Sequence, residues 1–301
     1  MNYRFHLHTS QKLIRVREAM RRVVHISDLH FGRAHLELIE PLLASIIELR
    51  PDVVAVSGDL TQRATVEQFE AARDFLRRIP FPQVVVPGNH DIPFWNVHRR
   101  FRRPLERYRR YINAETEPSY ADDQLFLIGL NTARSLAWKA GRISLDQVAR
   151  LRDRLCVIAP HVFKVLVTHH PFVPRAGAED FDAVGRAGMA LEALEDCGAD
   201  LILAGHLHRS YARQTASFYR LARRSILVAQ SGTTLSARTR DERNSFNSID
   251  VRMDAASVTV HAWDPDSAAF VPLPTSHYEK RGEWRLVVGM SGDEPNQSCE
   301  R

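Results

Sequence analysis

A dispersed set of eight side chains between positions 28 and 208 has the types that hold metal ions: Asp28, His30, Asp59, Asn89, His90, His169, His206 and His208. Carboxylates, imidazoles and amide oxygens are the ligand types of hard and borderline metal ions. In Asp28-x-His30 and again in His206-x-His208, alternate residues leaving a strand point the same way and can reach one ion. A carboxylate such as Asp59 can bridge two ions, one on each oxygen, and Asn89 offers a neutral carbonyl oxygen. Two ions about 3 to 4 Å apart bind a phosphoryl group, generate hydroxide at neutral pH and stabilise charge in the transition state. The chemistry these residues predict is metal-assisted hydrolysis.

The elements that must position them are short apolar runs. VVHIS precedes Asp28, DVVAVSG precedes Asp59, QVVVPG precedes Asn89, KVLVT precedes His169 and DLILAG precedes His206. Runs of four to eight apolar residues read as buried strands of an α/β sheet, and ligands of such folds bind beyond the carboxyl ends of the strands. A lone Asp-x-His or Gly-Asp is more often structural. Gly88-Asn89-His90-Asp91 is a stronger signal, because four loop-forming or reactive residues follow three valines and a proline. Joint placement at five strand ends carries the reading.

Between the strands, Leu38, Leu42, Leu43, Ile46 and Leu49 form one helical face, and Phe69, Ala72, Leu76 and Ile79 form another. Ser144 and Gln147 make a capping box for a helix that buries Val148, Leu151 and Leu155, and a further helix covers 185–197. After His208 the pattern turns antiparallel, with strands at 227–231, 247–254 and 257–263, which suggests a second sheet packed on the first with helices outside. The expected organisation is an extension over 1–19, one catalytic domain over 20–263, and a wrapping segment over 264–301 with one further strand near Trp284 to Val288. Splitting the chain between the ligand groups would dismantle the site.

The apolar fraction, 44%, is ordinary for a globular protein, and no apolar stretch is long enough for a transmembrane helix. The first twenty residues have no signal-peptide core, and Cys156, Cys197 and Cys299 form no framework. These features predict a cytoplasmic protein. A net charge of +5, nearly all of it from arginine, favours acidic substrates or surfaces without choosing between them.

These blocks resemble the calcineurin-like metallophosphoesterase superfamily: Asp-x-His, Gly-Asp, Gly-Asn-His-Asp, His and Gly-His-x-His are all present over 23–208. The resemblance implies a four-layer αββα sandwich of two mixed sheets flanked by helices. It implies that Asp28, His30, Asp59 and His208 surround one metal, and that Asp59, Asn89, His169 and His206 surround the second. The implied pair is Mn/Mn or Fe/Mn, with zinc as the alternative. His90 would contact phosphate as acid or electrostatic stabiliser, and Asp91 would orient it. The family's His-His-Pro-Pro block reads His169-His170-Pro171-Phe172 here, which leaves His170 and Phe172 as candidates for substrate contact.

Ile26-Ser27-Asp28-Leu29-His30-Phe31-Gly32, Gly58-Asp59-Leu60-Thr61 and Val167-Thr168-His169-His170-Pro171 are most similar to the bacterial cyclic-nucleotide phosphodiesterase-like branch. That similarity implies hydrolysis of a small phosphodiester, foremost a cyclic nucleotide, by attack of a metal-bridging hydroxide. The alternatives are a glycerophosphodiester, lipid-linked or sugar-nucleotide pyrophosphate substrate at a membrane surface, and a non-catalytic binding protein. The membrane alternative comes from the arginines of 99–110, including Arg102 and Arg103, where Phe101, Leu105 and Tyr108 recur at helical spacing. It would place the protein peripherally on the inner face of an anionic membrane; a solvated helix is the bland reading. Arg238 and Arg240 are further candidates for substrate oxygens. Nucleic acid is disfavoured, since no recognised module accompanies the charge, and the oligomeric state has no signature in the sequence.

Overall fold

Uninterrupted valine, leucine and isoleucine runs leave no face for water, so strands made from them must be covered on both sides. The computed structural model describes residues 20–136, 140–173, 183–208, 210–215, 225–237 and 242–289. The expected extension over 1–19 lies outside them, as do Arg238, Arg240 and Cys299. The chain begins β1 (Arg21–Ile26), α1 (Ile39–Leu49), β2 (Val53–Ser57), α2 (Val66–Arg77), β3 (Gln83–Val86), α3 (Val97–Arg102) and α4 (Glu106–Tyr111). It continues β4 (Ser119–Ala121), β5 (Leu125–Leu130), α5 (Leu145–Leu155), β6 (Phe163–Thr168), α6 (Ala187–Asp196), β7 (Leu201–Ala204), β8 (Tyr211–Gln214) and β9 (Leu227–Gln230). It closes with β10 (Ser245–Arg252), β11 (Ala255–Asp264), β12 (Ala269–Pro272), β13 (Ser276–Arg281) and β14 (Glu283–Val288).

One sheet runs β14-β13-β11-β10-β1-β2-β3, with β12 paired to β11, and the other runs β4-β5-β6-β7-β9-β8. Each sheet has a parallel part: β1, β2 and β3 at one end of the first, and β5, β6, β7 and β9 at the centre of the second. Strand alternation sends neighbouring residues into different apolar layers. Val23, Val53, Val84, Val165 and Leu201 fill the space between the sheets. Val24 and Val54 meet Leu42, Ile46 and Phe69 beneath α1 and α2, while Leu166 and Ile202 meet Leu151 and Leu191 beneath α5 and α6. The result is the four-layer αββα sandwich. The Ser144 cap stands as expected, its hydroxyl accepting from the Gln147 amide while the Gln147 side chain accepts from the Ser144 amide. Among the described residues, no helix is long and apolar enough to cross a membrane.

Three expectations change. Cys156 and Cys197 are joined in a disulfide, because α5 and α6 lie side by side and bring their C-terminal caps to a Cα separation of 4.4 Å. The cysteines therefore no longer argue for a reducing compartment. The basic segment is two short helices rather than one amphipathic helix. Pro104 disfavours helical geometry at Arg103, where φ is −145°, so Phe101 stays in solvent while Leu105 and Tyr108 are buried. The segment after 264 supplies β12, β13 and β14 to the first sheet rather than a single strand, and buries Trp284 against Phe163 of the second, ring centroids 5.9 Å apart.

His261 on β11 is stacked on Phe246, with centroids 4.7 Å apart, and its Nε2 lies 2.9 Å from the Ser248 hydroxyl. Burial, with a contribution from Arg22, lowers its pKa to about 4. In the unfolded chain this imidazole protonates near pH 6.5, so the unfolded state takes up a proton that the native state refuses across that interval. Stability tied to His261 is therefore present above about pH 6.5 and is lost as pH falls toward 4. Urea unfolding at roughly pH 7 and pH 5 should show a smaller loss of stability for His261→Gln than for wild type. Equal losses would contradict this account.

Candidate metal centre

Each candidate ligand group begins one to three residues past a strand end. β1 delivers Asp28 and His30, β2 delivers Asp59, and β3 delivers Asn89 on a short 3-10 turn. From the second sheet, β6 delivers His169 and β7 delivers His206 and His208. The loops that carry them are tied to each other. Asp28 N donates to Gly58 O (3.1 Å), His30 N to Asp59 O (2.9 Å), Gly205 N to His169 O (3.0 Å) and Thr234 N to Ser27 O (3.0 Å). Five of the seven candidate ligand residues adopt positive φ: Asp28 (52°), His30 (48°), Asp59 (50°), His206 (76°) and His208 (57°). Such backbone costs non-glycine residues on the order of 1 kcal/mol each and persists where the surroundings over-determine it. Two glycines make the close approaches possible. A Cβ on Gly88 would stand 2.1 Å from Asp59 Oδ1, and one on Gly205 would stand 1.9 Å from Ser27 Oγ.

Asp28 and Asp59 are buried, and among the described residues neither lies within ion-pair distance of a lysine or arginine. Their neighbours are histidines. His30 Nε2 is 3.6 Å from both Asp28 Oδ1 and Asp59 Oδ2, His208 Nε2 is 3.6 Å from Asp28 Oδ1, and His169 Nε2 is 3.4 Å from Asp59 Oδ1. The separations of 3.6 Å are too long for hydrogen bonds but suit atoms that share an ion. Asp28 Oδ2 accepts from Ser27 Oγ (2.6 Å) and His206 N (3.0 Å), whereas Asp28 Oδ1 and both His30 nitrogens are buried with no hydrogen-bond partner. One oxygen is anchored and the other is left for a cation. Asp59 faces both ways, Oδ2 toward His30 and Oδ1 toward His169. Asn89 Oδ1 and His206 Nδ1 lie 3.1 and 3.2 Å from His169 Nε2. The donor set and its unpartnered atoms fit two metal ions.

The supporting contacts fix which nitrogen each ring presents. His169 Nδ1 donates to Ser57 O (2.8 Å), leaving Nε2 toward the centre, and His208 Nδ1 pairs with the Thr233 hydroxyl. Burial opposes the charge of His169, but Asp59 and Asp28 raise its pKa to about 9. Burial and the charge of His169 lower His206 to about 3. Burial also opposes ionisation of Asp59, yet the surrounding histidines hold it well below the usual carboxylate range.

The Asp91 carboxylate does not bond the His90 ring. It is turned to the Asp59 loop and accepts from Gly88 N (2.9 Å), Leu60 N (3.2 Å), Thr61 N (2.9 Å) and Thr61 Oγ1 (2.9 Å). The His90 ring is held instead by Gln62, whose carbonyl oxygen is 2.9 Å from Nδ1. Nothing in the sequence separates Gln62 from an ordinary loop glutamine, and Ser27 and Thr233 are equally quiet. His170 stands beside the second ligand set, 4.8 Å between ring centroids from both His169 and His206, with Nδ1 2.7 Å from Thr132 Oγ1. Phe172 is fully buried in the core beneath α5 and α6. Arg102 and Arg103 are exposed where α3 ends, and Arg103 pairs with Glu106 (2.8 Å).

Residues 21–210 match the calcineurin-like phosphoesterase family. A "Probable cyclic nucleotide phosphodiesterase" of Vesicomyosocius okutanii subsp. Calyptogena okutanii is 24% identical over 239 residues, 76% of this chain and 94% of that protein. The "Glycerophosphodiester phosphodiesterase GpdQ" of Enterobacter lignolyticus is 28% identical over 200 residues, 62% of this chain and 70% of that one. In fold, the chain is similar to purple acid phosphatase PPD1 from yellow lupin, with TM-score 0.60 at 12% identity, covering 86% of this chain and 54% of that one.

Asp59→Ala should lose most bound metal, because its carboxylate faces both candidate ligand sets. His90→Ala should keep most of its metal while turnover falls by about 10² to 10⁴. Elemental analysis beside steady-state kinetics measures both, and equal metal loss in the two variants would contradict the separation of roles.

Proposed function

The chain belongs to the calcineurin-like phosphoesterase family, and from that premise we propose that it is a two-metal phosphodiesterase acting on a cyclic nucleotide. The observation that carries the reading is the pair of buried carboxylates with no lysine or arginine partner among the described residues, one oxygen of Asp28 left unbonded beside His30. Burying ionised carboxylates is costly unless a cation or a full set of donors compensates. Asp28, His30, Asp59 and His208 would hold one ion, and Asp59, Asn89, His169 and His206 the other. Oxygen and imidazole donors suit Mn/Mn or Fe/Mn, with zinc as the alternative. When bound, the ions supply positive charge that polarises the phosphoryl group and acidifies water.

The chain's own residues orient and exchange protons. His90 is half-buried and its Nδ1 is engaged by Gln62, so Nε2 is the nitrogen left to meet the phosphoryl oxygen or the leaving group. Asp91, through its four donors, locks the Asn89–His90 turn to the Asp59 loop and so sets the distance between acid and ligands. His170, steadied by Thr132, flanks the second ligand set and would border bound substrate.

The similarity to the Vesicomyosocius protein, which spans 94% of that protein at 24% identity, supports the cyclic-nucleotide choice, and the similarity to the Enterobacter protein supports glycerophosphodiesters as the second reading. The test is kcat/KM of Mn-loaded protein on 3′,5′-cyclic AMP, 2′,3′-cyclic AMP and glycerophosphodiesters. The proposal expects a cyclic nucleotide to lead by at least about tenfold. A lead for the glycerophosphodiesters would replace the substrate and keep the metal chemistry, and no turnover on any of them would end the proposal.

A further inference from the structure

Beyond His90 the chain leaves a group of large apolar side chains in water. Phe94 (43% exposed), Trp95 (73%), Val97 (64%) and Phe101 (52%) follow the Asn89–Asp91 turn, and Leu136 (83%) comes from the loop after β5. Arg100 clamps the two stretches together. Its buried guanidinium donates to Pro93 O (3.3 Å) and Ser135 O (2.8 Å), and the Ser135 hydroxyl donates back to Arg100 O (2.6 Å). Phe94 and Trp95 meet edge to face with centroids 4.8 Å apart. A buried arginine is thus used to hold side chains at the surface that would otherwise favour the core.

The surroundings of this apolar tip are basic. Residues 97–111 carry seven arginines against one glutamate. Glu106 engages Arg103 at 2.8 Å and Arg99 at 3.8 Å, while Arg102 and Arg109 have no carboxylate partner among the described residues. Exposed aromatics beside arginines are the combination that settles at a lipid interface, with rings in the headgroup zone and cations on lipid phosphates. A second copy fits poorly, since its own arginines would be set against these.

We propose that this rim docks on an anionic phospholipid surface through Trp95, Phe101 and Leu136, with Arg102 and Arg109 facing lipid phosphates. The Asn89–Asp91 turn, three residues before Phe94, then lies close to the bilayer. The inference rests on the proposed function only for taking this rim as the mouth of a phosphodiesterase site.

The test is flotation of the full, Mn-loaded chain with phosphatidylcholine vesicles that contain or lack phosphatidylglycerol. Binding should be at least about tenfold stronger with phosphatidylglycerol and should weaken with salt. Trp95→Ser/Phe101→Ser should weaken it about tenfold, and Arg102→Glu/Arg109→Glu should abolish it. Trp95→Ser/Phe101→Ser should hydrolyse soluble bis(p-nitrophenyl) phosphate within about twofold of wild type, showing an intact fold and centre. No binding, equal binding to both vesicles, or wild-type binding by the variants would overturn the inference. An active phosphodiesterase that ignores vesicles would remove this docking role alone, and a vesicle-binding protein without hydrolysis would remove the proposed function alone.

Discussion

Asp28 and Asp59 are two carboxylates held out of water with histidines, the Ser27 hydroxyl and backbone amides around them, and the rest of the structure is arranged to tolerate that. In a low-dielectric interior such groups repel each other and lose their hydration, and left alone they would neutralise or swing to the surface. Neither route is open here. Ser27 and the His206 amide fasten one oxygen of Asp28, and the His90 amide fastens one oxygen of Asp59. Left-handed backbone at five ligand residues adds on the order of 1 kcal/mol of strain per residue. The three apolar layers of the sandwich supply the stability against which these costs are set.

The ligands come from both sheets, so their spacing depends on how the sheets are joined. Beneath the centre the inter-sheet layer turns polar. His25 on β1 bonds the Ser57 hydroxyl (2.8 Å), and the Ser57 carbonyl receives His169 Nδ1 from the other sheet (2.8 Å). Opposite His25 in register, Asn247 on β10 donates to Gln230 O on β9 (3.0 Å), and the Gln230 side chain donates to Gly205 O, next to His206. Directional bonds at this level fix sheet-to-sheet alignment more tightly than valine packing would. The candidate metal ligands stand on that layer.

Much of this was legible before any coordinates. Five apolar runs ending in Asp, Asn or His required strand ends at one rim, and the sheets deliver Asp28, Asp59, Asn89, His169 and His206 there in parallel order. What stayed hidden depends on contacts between residues far apart in sequence. Asp91 follows His90, yet its carboxylate serves the loop of Asp59, and the partner of His90 is Gln62, 28 positions away. Helical spacing tied Phe101 to Tyr108, but one proline breaks that face, sending Tyr108 into the core to donate to Val85 O and leaving Phe101 in water. The Cys156–Cys197 bond needs two helix ends to meet, which no spacing announces.

The central claim is that Asp59 joins two ion sites, one built from each half of the ligand set. An anomalous difference map from a crystal grown with Mn²⁺ tests it directly. Two peaks are expected flanking the Asp59 carboxylate, one beside Asp28, His30 and His208 and the other beside Asn89, His169 and His206. A single peak, or peaks that leave Asp59 uncoordinated, would contradict it.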